Sequence, residues 1–498
     1  MTLTEADRAH EDAEALFREA RRRRRNRRLL WLGATLVVIA GGFGVYLASR
    51  TPNAPPKRST TARSASPPRP VVNKKAFASH GRLAFVSRGT LWVLDGDTSS
   101  VREIRTGQLV PSDPQFSADG RWLAFVASEV KQCCSSFRSS FPPQVISSEL
   151  WIARADGSDA HAVGALTFSA AIGWDPHADL FAVGVGSSTS VPFGNATGID
   201  LVSPTGAVKS LVNGTNIWGA VWAPDASAIA VASSVRSSGF NGYASVLASY
   251  PLDGDPPTQW YEVDTQQANI IVPAGWWQGW GIGYTTVGEG AVPGGSGSAD
   301  GSPFYTIAKP GATPLLLGTT LETEGAGAPS VNSSGLMAFV SNEMNRNEGR
   351  DITQGKEVLV CQLANSSCTP VPHASDAVTE DPAWAPTSSV LDYVQAPATH
   401  SLLQYSVTGW YAARRLYTFN AVTGAGEPKA GTSGATSPQW STDGKTLLYV
   451  SNDGLWIRSA SASESTEIES PLFVPQKWPS YYGQVAFTSQ FSWWPSST

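Results

Sequence analysis

The residues able to do chemistry are few and scattered. Four cysteines form two close pairs. Cys361 and Cys368 flank a turn between two expected strands, so a cross-strand disulfide fits there, and an oxidising compartment suits it. Cys133 and Cys134 are adjacent, and three readings stand side by side: a vicinal disulfide, two free thiols, or pairing between molecules. The six histidines are dispersed and none makes HExxH or another metal-ligand spacing. Neither a GxSxG elbow nor a phosphate loop is present. No catalytic residue, cofactor or metal is therefore expected. Glu380 and Asp381 are neighbours, but a carboxylate pair in a sequence has little specificity, and a structural role is the stronger expectation.

Other residues suit contact better than reaction. Six long polar stretches, 129–148, 187–197, 233–242, 288–302, 342–356 and 395–411, carry apolar side chains at Phe137, Phe141, Phe193, Phe240, Tyr243, Leu402, Leu403, Trp410 and Tyr411. Long loops in a compact domain are usually functional or disordered. A binding face is the favoured reading, and packing of the loops onto their scaffold is the alternative. A sugar platform is a second reading, from Trp276, Trp277, Trp280, Trp493 and Trp494. Most of these lie at repeat positions, where core packing explains them better.

The element that must hold such loops is a repeat. Its clearest copies are Asp113-Pro-Gln-Phe-Ser-Ala-Asp-Gly-Arg-Trp-Leu-Ala-Phe-Val126 and Ser437-Pro-Gln-Trp-Ser-Thr-Asp-Gly-Lys-Thr-Leu-Leu-Tyr-Val450. Looser copies centre on Trp174, Trp222, Trp277, Val331 and Trp384. The period is about 50–58 residues, in the range of propeller blades. Each copy reads as a strand ending in an aromatic, a tight Asp-Gly turn of type I′, and an apolar strand. Further strands follow, and the six long stretches then lie on one face. The start, Arg82–Val86, Leu91–Leu94 and Val101–Ile104, lacks a first strand. The C-terminal Phe491-Ser-Trp-Trp494 supplies one. The expectation is an all-β fold: one closed β-propeller of four-stranded blades, eight favoured and seven the alternative, over residues 79–498.

These motifs resemble the TolB-like, WD-repeat-like propellers, whose repeat is Pro-x-Trp-Ser-Pro-Asp-Gly before an apolar strand. The resemblance implies the fold. It does not carry over TolB's partners, because TolB's own small α/β domain is not seen. Ser117-Ala-Asp-Gly-Arg-Trp122 resembles a sialidase Asp box but lacks the residue between Asp and Gly, and reads as a blade turn.

The N-terminal region is different. Residues 1–28 are acidic and then Arg-rich, with seven Arg at 21–28. Residues 29–49 hold no charge, and about 20 apolar residues suffice to cross a bilayer. Residues 50–78 form a Pro, Ser, Lys and Arg spacer. A single-pass anchor is expected, with the N-terminus cytoplasmic and the propeller outside the cell membrane. Net charge is +4 over 1–50 and +6 over 51–78, leaving about −15 on the remainder. That argues against nucleic acid as the head's partner. The function expected is a non-catalytic module binding an envelope protein or peptide. The alternatives are a carbohydrate or wall-polymer binder, and an envelope hydrolase with carboxylates in the propeller channel.

Overall fold

The computed structural model describes residues 69–131, 144–164, 168–186, 196–237, 242–264, 269–288, 302–320, 328–342, 356–363, 367–398, 412–471, 487 and 489–496. All fall within one compact unit, Pro67–Thr498. The expected anchor at 29–49, the segment 1–28 before it and residues 50–68 of the expected spacer lie outside the described residues; residues 69–78 of that spacer are described and include the strand Val71–Val72. Among those described, no helix is long and apolar enough to cross a membrane.

Among the described residues every element is a strand, and these strands form seven antiparallel sheets. In the first sheet the C-terminal strand Phe491–Trp494 pairs with Arg82–Ser87, followed by Thr90–Asp95 and Ser100–Ile104. The second runs from Val110–Phe116 through Trp122–Lys131 and Gln144–Arg154 to His161–Ala162. The third has seven strands, from Phe168–Trp174 to Thr258–Asp264. Its middle strand, Val208–Trp222, pairs with Ala196–Val202 on one side and with Ala228–Ser237 on the other. The fourth starts at Asn269–Trp277 and the fifth at Ser330–Val331. The sixth contains Ala377–Trp384, Val390–Pro397, Arg415–Asn420 and Ala425–Pro428. The seventh contains Ala435–Trp440, Thr446–Ser451, Gly454–Ser459 and Thr466–Ser470, with Val71–Val72 added at its outer edge. Repeated four-strand antiparallel sheets of this kind are the propeller fold.

Packing explains the apolar runs. The strand Arg82–Ser87 is buried on both faces. Leu83 and Phe85 meet Leu448 and Val450 of the seventh sheet, while Ala84 and Val86 meet Leu123 and Phe125 of the second. A strand covered on both sides cannot alternate with polar residues, so it reads as a continuous run. The outermost strand Ala425–Pro428 is exposed throughout and carries no large apolar side chain. Each large buried side chain such as Phe85 contributes roughly 1.5–3 kcal/mol.

The tight turns differ from the expected type I′ geometry. At Ser117–Gly120 only Gly120 takes a positive φ, 66°, and Gly444 repeats this at 68°. The Ser117 hydroxyl donates to Asp119 Oδ1 at 2.7 Å, and that oxygen accepts from the Arg121 amide at 2.9 Å. Ser441 and Asp443 reproduce the pattern. A side-chain-stabilised turn closed by a left-handed glycine therefore replaces the two-residue reversal. The long stretches are also shorter than expected. Strand covers 233–237 and resumes at 242, and it covers 129–131 and 395–397, because long paired strands satisfy more backbone groups.

Candidate functional site

Three first strands share a local distortion. The bulges lie between Ser112 and Gln115, Glu380 and Ala383, and Thr436 and Gln439. In each, the residue before a proline, Asp113, Asp381 or Ser437, takes φ 51°. Proline gives the ladder no N–H, so pairing lapses there. A non-glycine residue at positive φ is uncommon and persists only where its surroundings hold it. At Asp381 the hold is visible. Its Oδ2 accepts from the Ser437 amide at 3.0 Å and from the Thr436 hydroxyl. Both donors belong to the first strand of the seventh sheet.

Glu380, beside Asp381, is fully buried. Its Oε2 lies 3.0 Å from Lys356 Nζ, and its Oε1 accepts from Arg414 Nη2. Lys356 opens the strand Lys356–Gln362, and Arg414 immediately precedes Arg415–Asn420. Each cation thus follows one of the long inter-strand segments. Burial alone would raise the Glu380 carboxyl, but Arg414 and then Lys356 outweigh it and hold it below the usual carboxylate range. Asp381 moves the other way. Burial raises it, the charge on Glu380 adds to this, and Arg414 with the two hydrogen bonds opposes it. Neighbouring carboxyls driven apart in this way are the arrangement from which acid and base roles can be divided.

Asp113 and Asp392 are raised as well. Burial lifts Asp113, against a hydrogen bond from the Ser112 hydroxyl at 2.8 Å. Burial also lifts Asp392 to about 6, opposed first by Lys429. The Lys429 ammonium stands 3.3 Å from Asp392 Oδ1, which accepts from Thr418 at 2.7 Å. Asp392 lies opposite Ala383, so the sixth sheet carries three perturbed acids close to one bulge.

The sequence-derived candidates fare unevenly. Cys361 and Cys368 are disulfide-bonded across adjacent strands, Cα atoms 4.0 Å apart. Tyr243 falls in the strand Gly242–Pro251. Cys133, Cys134, Phe137, Phe141, Phe193, Phe240, Trp410 and Tyr411 lie outside the described residues. The tryptophans considered for sugar binding serve packing instead. The indole N–H of Trp280 donates to Gly335, that of Trp493 to His80 and that of Trp494 to Ala118, all carbonyls, while Trp276 packs edge-on against Trp260. Sequence reasoning missed Lys356, Arg414 and Asp392. The signal was a charged residue within an apolar run, as in Val390-Leu-Asp-Tyr-Val394. Among the described residues, no group of three His, Cys, Asp or Glu could hold a metal ion.

No family model matches this chain, and no curated protein does. Several solved structures are similar in fold. Dipeptidyl peptidase 4 of Porphyromonas gingivalis matches over 80% of this chain and 62% of its own, at 9% identity and TM-score 0.46. An oligogalacturonate lyase of Vibrio parahaemolyticus matches over 78% and 86%, at 11% identity and TM-score 0.37. The β-propeller domain of the Trilobed protease from Pyrococcus furiosus matches over 72% and 98%, at 9% identity and TM-score 0.40. The chain spans under two thirds of the first peptidase's length. The expectation of a head that binds without catalysing finds no counterpart among these neighbours, which are themselves enzymes or enzyme domains.

Proposed function

We propose that this chain is an envelope hydrolase whose chemistry lies on the channel side of the propeller, with Asp381 as proton donor. The observation that carries the reading is the opposed pair at one bulge: Glu380 paired with Lys356 and Arg414 and held below the usual carboxylate range, and Asp381 beside it raised by burial and by the Glu380 charge. Glu380 is too buried to touch substrate and acts as a positioning residue. Asp381 is partly exposed, and its hydrogen bonds occupy Oδ2. First strands line the central channel of a propeller, so a proton on Oδ1 is placed to serve a leaving group there.

The propeller itself is inferred to be an eight-bladed closed ring of the TolB-like, WD-repeat-like kind. Sharing Val208–Trp222 between two blades turns seven sheets into eight units. Eight buried clusters, each joining neighbouring units, support that count, and the one containing Leu83 and Leu448 joins last to first. The ring is held outside the cell membrane by residues 29–49, with the N-terminus cytoplasmic, as the Arg cluster directs.

The test is a hydrolysis screen of the purified chain against envelope glycans and peptides, followed by Asp381→Asn on any substrate found. Loss of roughly 10²–10⁴-fold in kcat with folding intact is expected for removal of a general acid. Activity of the wild type should fall on the alkaline side, as pH rises through the raised Asp381 value. Full activity of the Asn variant would refute the assignment.

A further inference from the structure

The seventh sheet carries an added strand that comes from the other end of the chain. Val71 and Val72 lie opposite Ser470 and Glu469, and the Asn73 amide donates to the Ile468 carbonyl at 2.7 Å. Phe77 is then fully buried in the cluster that joins the first and seventh sheets. Residues 71–77 are thus a strap across that seam.

Opposite Val72 of the strap lies Glu469, 1% exposed, and among the described residues no side-chain donor other than the Ser87 hydroxyl is near its carboxylate. Ser87 of the first sheet is the polar side chain beside it, but its hydroxyl donates to the Pro471 carbonyl at 2.7 Å. The charged groups around it are Arg88 from the first sheet, Asp453 from the turn before Gly454–Ser459, and Glu467 on its own strand. Val72 of the strap brings no charge, and Lys74 and Lys75 beyond it are exposed. One exposed arginine against two acids is a poor setting for a buried anion.

We propose that this seam is proton-held: Glu469 is neutral while the strap lies on the seventh sheet, and its ionisation loosens strap and seam together. Burial lifts its carboxyl to about 8; the Ser87 hydroxyl opposes this, Asp453 and Glu467 add to it, and Arg88 opposes it. Once the seam opens, the carboxyl returns to its ordinary value. Between that value and 8 the open form loses its proton while the closed form keeps it. Opening is therefore favoured about tenfold more with each pH unit, and the effect levels off above 8.

Hydrogen exchange of the full-length chain between pH 5 and 9, corrected for intrinsic rates, reads this directly. In the wild type, protection of residues 71–77 and 466–470 should fall as pH rises, while Leu123–Ala127 in the second sheet stays protected. Glu469→Gln, neutral at every pH, should keep the strap protected throughout. Asp453→Asn, which removes a neighbouring negative charge, should move the levelling-off to lower pH, and it decides the matter if the Gln variant does not fold. Strap protection independent of pH in the wild type, or identical profiles in wild type and Asp453→Asn, would overturn the proposal.

Discussion

Glu380 illustrates how one buried charge can organise its surroundings. Removing a single partner from a buried ion pair leaves an uncompensated charge and costs about 3–5 kcal/mol. Arg414→Met should therefore lower the unfolding midpoint in urea far more than Arg121→Met, whose parent pairs with Asp119 and Asp179 at the exposed surface. Equal shifts would mean that the Glu380 cluster is not the buried lock described. The two acids of this bulge were visible in the sequence as Glu380-Asp381. Their cations were not, because Lys356 and Arg414 stand 24 and 34 residues away: Lys356 meets Glu380 through the packing of the fifth sheet on the sixth, and Arg414 from the entry to another strand of Glu380's own sheet. Asp392 was hidden for a related reason. A lone aspartate in a strand reads as a solvent-facing position, whereas here both faces of the strand are covered.

At the scale of turns and hairpins, the repeat was legible because local chemistry fixes it. Ser, Asp and Gly at fixed offsets build the same loop at Ser117 and Ser441. Their glycines are nonetheless unequal. A side chain on either pays the left-handed backbone penalty, about 1–2 kcal/mol. A Cβ on Gly120 would also lie 2.1 Å from the Trp494 ring, whereas on Gly444 it would meet the Thr387 hydroxyl at 3.0 Å. Gly120→Ala should thus destabilise more than Gly444→Ala in denaturant titration, and the reverse order would misplace the C-terminal strand. The hairpin Lys356–Gln362 to Ser367–Pro370 adds a covalent tie. Replacing Cys361 and Cys368 by serine should cost about 2 kcal/mol, since the closed loop is short. An unchanged midpoint under reducing and non-reducing conditions would show that the tie contributes nothing. Strand ends were the least legible part, as at 233–237, where polar Ser and Arg still pair across to 242–246.

For the molecule as a whole, sheet order was legible from periodicity, and the pairing of the C-terminal strand with the first sheet from the mismatch of the two ends. A first sheet without a first strand and a terminal strand without a sheet are complementary, and Arg82–Phe85 do pair with Phe491–Trp494. Deleting residues 489–498 should expose Leu83 and Phe85, broaden the thermal transition and produce aggregates by light scattering, because an unpaired edge templates association. A deletion variant that stays monomeric with its midpoint unchanged would show the C-terminal strand to be dispensable. The third sheet was less legible: nothing in the residues of Val208–Trp222 announces that one strand serves two partners, since its pairing halves are joined by an ordinary polar stretch.

The pairing of the chain's ends also sets a clock during synthesis. The bond from Trp493 to His80 spans 413 residues. At about 5–20 residues per second, roughly 20–80 s separate the emergence of the first strand from that of its partner. Throughout that interval Arg82–Ser87 has one edge without its mate, on a nascent chain still being extended. Slower elongation lengthens the exposure in proportion. The yield of native protein should therefore depend on translation speed and on whatever shields the waiting strand, even for variants whose finished stability is identical.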